Sequence, residues 1–248
     1  MKVVFPLFAW LQIIFLSSTA FAQQEWKPLW PEGAPGATGT TEHDIPATLA
    51  FPAPANKANG CTVLVCPGGG YGGLAMDHEG QQIASWMNER GIHAYILRYR
   101  LGSHGYHHPI EMNDVLRAMR GVRHDAEAAG SDPNRIGIMG FSAGGHLAST
   151  AATHFDAGDP NAKDPIDKIS SRPNFAILCY PVITMDEAFT HKGSRRNLLG
   201  ESNYSDAKLV ELMSNEKQVT KDTPPTFIFH TTEDPAVPVE NAIAFYSA

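Results

Sequence analysis

In Arg135-Ile136-Gly137-Ile138-Met139-Gly140-Phe141-Ser142-Ala143-Gly144-Gly145-His146-Leu147-Ala148, an apolar run gives way to small residues around one serine. Residues 136–139 read as a buried strand, and the run from Gly144 to His154 reads as a helix. Between them lies G-x-S-x-G. Alone that pattern is weak, because it arises readily by chance. Its place between a strand and a helix gives it physical meaning. A serine on a sharp strand-to-helix turn projects its hydroxyl above the sheet edge, and the crowded turn tolerates only small neighbours, here Gly140 and Gly144. The helix N-terminus behind the serine favours developing negative charge. Ser142 is therefore the candidate nucleophile; the plain alternative is an ordinary turn serine.

Outward from this turn the chain alternates. Residues 61–66, 92–99, 175–180 and 226–230 are near-continuous apolar runs, the mark of strands buried on both faces. Residues 78–90 carry Ile83, Trp86 and Met87 at helical spacing and stop at Gly91. Residues 108–129 hold Pro109 near the start and have Gly130 just after the end, both helix-boundary signals. A last helix is expected over 240–247. Such alternation predicts an α/β fold, a mostly parallel sheet with helices on both faces. Residues 23–45 are expected to be an extended lead-in without strand or helix period. The main domain covers 46–248, interrupted by an insert at 184–221 with one helix at 208–213 that overhangs the sheet.

Directly after the first buried run comes Pro67-Gly68-Gly69-Gly70-Tyr71-Gly72-Gly73. Consecutive glycines let a backbone approach a ligand and turn its amides toward it. A phosphate loop would need Lys and Ser/Thr after the last glycine, and neither follows. The run fits G-x-G-x-x-G literally, but the next strand ends in Arg98-Tyr99-Arg100, with no clear acidic residue for a ribose. Amides of Gly69 or Gly70, together with that of Ala143, account for the loop and Ser142 at once: they would hold the oxygen of a tetrahedral intermediate. A plain flexible loop is the alternative.

A carboxylate on the loop after a late strand is the position for the acid of a catalytic triad in this chain order. Asp234, between Glu233 and Pro235, is the candidate, with Glu233 as substitute and a helix-capping role as the plain reading. A triad in this order ends with histidine. All eleven histidines precede Asp234. The expectation is that the base lies beyond Ala248 and that the fold is truncated at its C-terminus. His146, His230, His107 and His108 read as packing, loop-supporting or rim residues. No metal is expected, since no H-E-x-x-H spacing occurs, and no cofactor.

The 248 residues carry 19 Lys+Arg against 26 Asp+Glu, a formal charge of −7. That acidic balance argues against a nucleic-acid partner. Residues 1–22, with Lys2, an apolar stretch and Ala20-Phe21-Ala22, read as a secretory signal peptide. Export to the periplasm or medium is expected, with no membrane attachment after cleavage. Cys61 and Cys66 would lie about 16 Å apart along one strand, too far to bond. With Cys179 they are expected to be small core residues.

The stretches Leu29-Trp30-Pro31-Glu32-Gly33-Ala34-Pro35-Gly36, Cys66 to Gly72, Asp132 to His146 and Asp234-Pro235-Ala236-Val237-Pro238-Val239-Glu240-Asn241 together resemble secreted α/β-hydrolases of the acetylxylan-esterase-like, feruloyl-esterase-like (BD-FAE-type) carbohydrate esterase group. The resemblance implies a Ser–His–Asp serine esterase: Ser142 as nucleophile, Asp234 as acid, and Gly69, Gly70 and Ala143 as oxyanion hole. The base would sit on a C-terminal segment that the chain lacks. It also implies small acyl-ester or polysaccharide substrates, acetyl groups on xylan among them. The competing expectation is a catalytically dead hydrolase fold that binds carbohydrate or serves as a scaffold. Oligomeric state is left open.

Overall fold

The computed structural model describes residues 25–248; the expected signal peptide lies outside the described residues. Seven strands form one sheet: β1 (Trp26–Pro28), β2 (Ala47–Phe51), β3 (Thr62–Cys66), β4 (His93–Arg98), β5 (Ile136–Phe141), β6 (Phe175–Cys179) and β7 (Thr226–Phe229), in the spatial order β1-β2-β4-β3-β5-β6-β7. β4, β3, β5, β6 and β7 run parallel, while β1 and β2 add antiparallel. The expected mostly parallel sheet is thus observed. The lead-in differs from expectation, because Trp26–Pro28 pairs in register with Ala47–Leu49. Three residues are too few to leave a readable period; the pairing comes from the neighbouring strand.

β3 explains the layers. Its five residues are all buried, and Val63 and Val65 face one cluster while Leu64 and Cys66 face the other, as strand alternation requires. The first cluster takes Ala84 and Met87 from α1 (Gln82–Glu89). The second takes Val115 and Met119 from α2 (Ile110–Asp125) and Leu147 from α3 (Ser142–Thr153). Helices therefore cover both faces. α1 is entered through a single π-helical turn at Asp77–Gln81, and α2 ends four residues earlier than expected.

The insert holds two helices, α4 (Lys192–Leu199) and α5 (Ala207–Met213), where one was expected. The chain ends in α6 (Glu240–Ser247). All three cysteines are unbonded, but only Cys66 is fully buried; Cys61 and Cys179 are half-buried, a correction to the core reading for those two. Cys61 lies one residue before β3, and Cys179 is the last residue of β6.

Candidate active site

Ser142 sits where β5 becomes α3, with φ +51°, a left-handed conformation rare for a side-chain-bearing residue. The close approach of chain segments forces it. A Cβ on Gly140 would lie 2.0 Å from the Gly144 carbonyl oxygen, and one on Gly144 would lie 2.1 Å from the Cys66 carbonyl oxygen. Neither position can hold a larger residue. The Val182 amide donates to the Ser142 carbonyl at 3.0 Å, tying the turn to the segment after β6. The amide of Ala143 lies in the first turn of α3, where amides have no intrahelical acceptor.

The glycine loop lies against this turn: a Cβ on Gly68 would be 2.9 Å from the Ser142 Cβ. The amide of Gly68 donates to Glu79 Oε2 at 2.6 Å, and those of Gly72 and Gly73 both donate to the Gly69 carbonyl at 3.0 Å. The amides of Gly69, Gly70 and Tyr71 meet no acceptor among the described residues. The loop is held from several sides. The buried Tyr71 places its hydroxyl 2.8 Å from His146 Nδ1, the Tyr99 hydroxyl donates to the Pro67 carbonyl at 2.7 Å, and Asn197 Nδ2 donates to the Gly70 carbonyl at 2.8 Å. Donors fixed in this way need no reorganisation when charge develops beside them.

Asp234 lies past the end of β7. Its Oδ1 accepts from the amides of Ala236 and Val237 at 2.8 and 2.9 Å, and its Oδ2 is 3.6 Å from His230 Nε2. Partial burial favours the neutral acid, but the Val237 and Ala236 amides, with His230 and His191, outweigh it and hold the carboxyl below its ordinary value. Glu233, the substitute, is exposed. Because β5, β6 and β7 are parallel, Ser142 and Asp234 leave the same edge of the sheet. They are two strands apart, about 10 Å by strand spacing, a gap that an imidazole bridges. Asn241, buried further along this stretch, receives the amides of Ile183 and Thr184 and donates to the Phe189 carbonyl, so it anchors the start of the insert.

No described histidine places its Nδ1 on Asp234, as a triad base must in order to donate there and accept at Nε2. His146 is buried, with Nε2 on the Met213 carbonyl at 2.8 Å, and burial pushes its pKa down to about 4. His230 directs Nε2 to the Val237 carbonyl at 2.9 Å. His191 reaches the site unforeseen, on the insert: its Cε1 lies 3.7 Å from where a Gly70 Cβ would be. Its Nδ1 accepts from the Ser194 amide at 3.2 Å, capping α4, so it too has the wrong tautomer.

Sequence reading also missed Glu79. This buried carboxylate joins the Gly68 amide to the Tyr180 hydroxyl, which donates to its other oxygen at 2.6 Å. Tyr180 itself has φ +35° and packs its ring on Phe141. The only sequence signal is an acid at the start of a helix, which occurs at most helices.

Sequence and fold both have known relatives. The chain is 42% identical over 192 residues to an acetylxylan esterase of Xylanibacter ruminicola, covering 77% of this chain and 37% of that protein. It is 42% identical over 190 residues to endo-1,4-beta-xylanase B of Butyrivibrio fibrisolvens, covering 75% and 29%. The chain thus spans about a third of the length of these curated relatives. Among solved structures, the acetyl ester-xyloside bifunctional hydrolase of Caldicellulosiruptor lactoaceticus superposes with a TM-score of 0.82 at 41% identity, covering 90% of this chain and 80% of that one. The fold is that of the α/β-hydrolases. The BD-FAE family model matches residues 49–248, and the chain belongs to the BD-FAE family.

Proposed function

We propose that this protein is a serine esterase that removes short acyl groups, acetyl foremost, from carbohydrates such as xylan. The observation that carries the reading is the pairing of a strained Ser142 with unengaged Gly69 and Gly70 amides beside it. The relatives named for acetylxylan and acetyl ester hydrolysis support the substrate class.

Ser142 Oγ attacks the ester carbonyl carbon while its proton passes to a histidine base. The carbonyl oxygen becomes an oxyanion held by the amides of Gly69 or Gly70 and Ala143. The sugar hydroxyl leaves with the proton from the base, and water then hydrolyses the acyl-serine by the same relay. Asp234, held ionised by its amide contacts, orients the base and balances its charge. We assign the base to a histidine outside these 248 residues, because none of the described ones places its Nδ1 on Asp234. Export through the residues 1–22 leader belongs to the same proposal.

The test is acetate release from acetylated xylan, by the 248-residue chain and by the longest polypeptide its coding sequence supports. Turnover is expected only in the longer polypeptide, and Ser142→Ala should abolish it. Equal turnover by the short chain would place the base among the described histidines. A longer polypeptide that binds xylan without releasing acetate would favour the non-catalytic carbohydrate-binding alternative.

A further inference from the structure

A cavity of about 350 Å³ is lined in part by Gly72 and Gly73 of the glycine loop. Its volume is that of a small-molecule site. Ile45, Leu74, Met76 and Leu101 supply apolar walls, and Trp26 lies at one side. Polar groups line the rest: Glu42, His43, Arg98 and His104. The His43 and His104 rings stack at 3.9 Å between centroids. The Arg98 guanidinium lies 4.8 Å over the Trp26 ring, directs Nη1 to Glu42 at 3.3 Å and Nη2 to the Ile45 carbonyl at 3.3 Å, and leaves a buried Nε without a partner.

The chemistry of this lining selects its ligand. Each arginine in the wall already has an acid: Arg98 has Glu42, and Arg100 has the buried Asp114 at 2.6 Å. An anion would therefore meet a compensated site. A purely apolar acyl chain would strand the polar side chains against it. A ring with C–H faces and a rim of hydroxyls satisfies both halves: apolar walls take the faces, while the Glu42 carboxylate accepts and Arg98 donates to neighbouring hydroxyls. Gly72 and Gly73 belong to the same glycine loop as Gly69 and Gly70, so a sugar here would rest against the loop that also serves the acyl site.

We propose that this cavity is a subsite for an unmodified neutral pyranose of the polysaccharide whose ester is cleaved at Ser142. The proposal rests on the carbohydrate-ester reading, but its test does not need turnover. Xylotriose without acetyl groups is titrated into the 248-residue chain and followed by saturation-transfer NMR and calorimetry, with glucuronic acid as an anionic comparison. Xylotriose should bind, and glucuronic acid should bind at least tenfold more weakly. Glu42→Ala and His104→Ala, both at exposed side chains, should each weaken xylotriose at least threefold while the unfolding temperature stays unchanged. Ser142→Ala should bind xylotriose like the parent chain. No xylotriose binding, preference for glucuronic acid, or unchanged affinity in both cavity variants would overturn the subsite. None of these results bears on whether Ser142 is a nucleophile, which is tested separately by acetate release.

Discussion

At the scale of single residues, Ser142 was legible because backbone geometry dictates its neighbours: only glycine fits at positions 140 and 144. Glu79 was not, because its partners Gly68 and Tyr180 lie 11 and 101 positions away in the chain. It touches no reacting atom, so it acts as a positioning residue that fixes the peptide just before the Gly69 and Gly70 amides. Losing a buried acceptor of this kind costs about 1–3 kcal/mol. In the active polypeptide, Glu79→Ala should lower kcat by roughly tenfold to a hundredfold, with little change in KM. Glu79→Gln, whose amide can accept from Gly68 and donate to the Tyr180 oxygen, should restore most of the rate. Steady-state kinetics with p-nitrophenyl acetate decide this; a Gln variant as slow as the Ala variant would mean that geometry alone is not its contribution.

At the scale of elements, the buried strands and α2 announce themselves through continuous or periodic apolar residues, whereas α4 does not. Lys192-Gly193-Ser194 is a poor helix start, and only Leu198 and Leu199 supply apolar side chains. Its order comes from the His191 cap and from Asn197 docking on the Gly70 carbonyl, contacts that sequence periodicity cannot carry. α2 holds a different hidden feature. Glu111 is fully buried with both carboxyl oxygens unpartnered, and that burial pushes its pKa well above the ordinary value. The folded state keeps a proton that the unfolded chain releases at ordinary carboxylate pH. Stability from this group is therefore complete below about pH 4.3 and falls as pH rises toward the folded value, by up to about 1.4 kcal/mol per unit. Glu111→Gln keeps the neutral shape. Thermal unfolding should show it gaining on the parent chain at pH 8 relative to pH 4.5; an equal difference at both pH values would contradict a protonated Glu111.

At the scale of the whole molecule, the parallel strands bring the Ser142 turn, the glycine loop and Asp234 to one sheet edge. Chain order and the resemblance together make that gathering readable from the sequence. The far side of β7 was not readable. Phe227 and Phe229 are 64% and 53% exposed, on the face of β7 opposite Ile228, and on α6 Ile243 is 55% and Tyr246 84% exposed. Exposed aromatic side chains on one face of a strand promote association. Changing Phe227 and Phe229 together to Lys should reduce concentration-dependent light scattering of the 248-residue chain; identical scattering would show that this face is not sticky. The proposed activity rests on Ser142 as the nucleophile. Its most direct test is reaction of the active polypeptide with a fluorophosphonate, followed by peptide mapping. One modified residue, Ser142, is expected, with loss of esterase activity in step with labelling. Labelling of another residue, or full activity after Ser142 is modified, would contradict it.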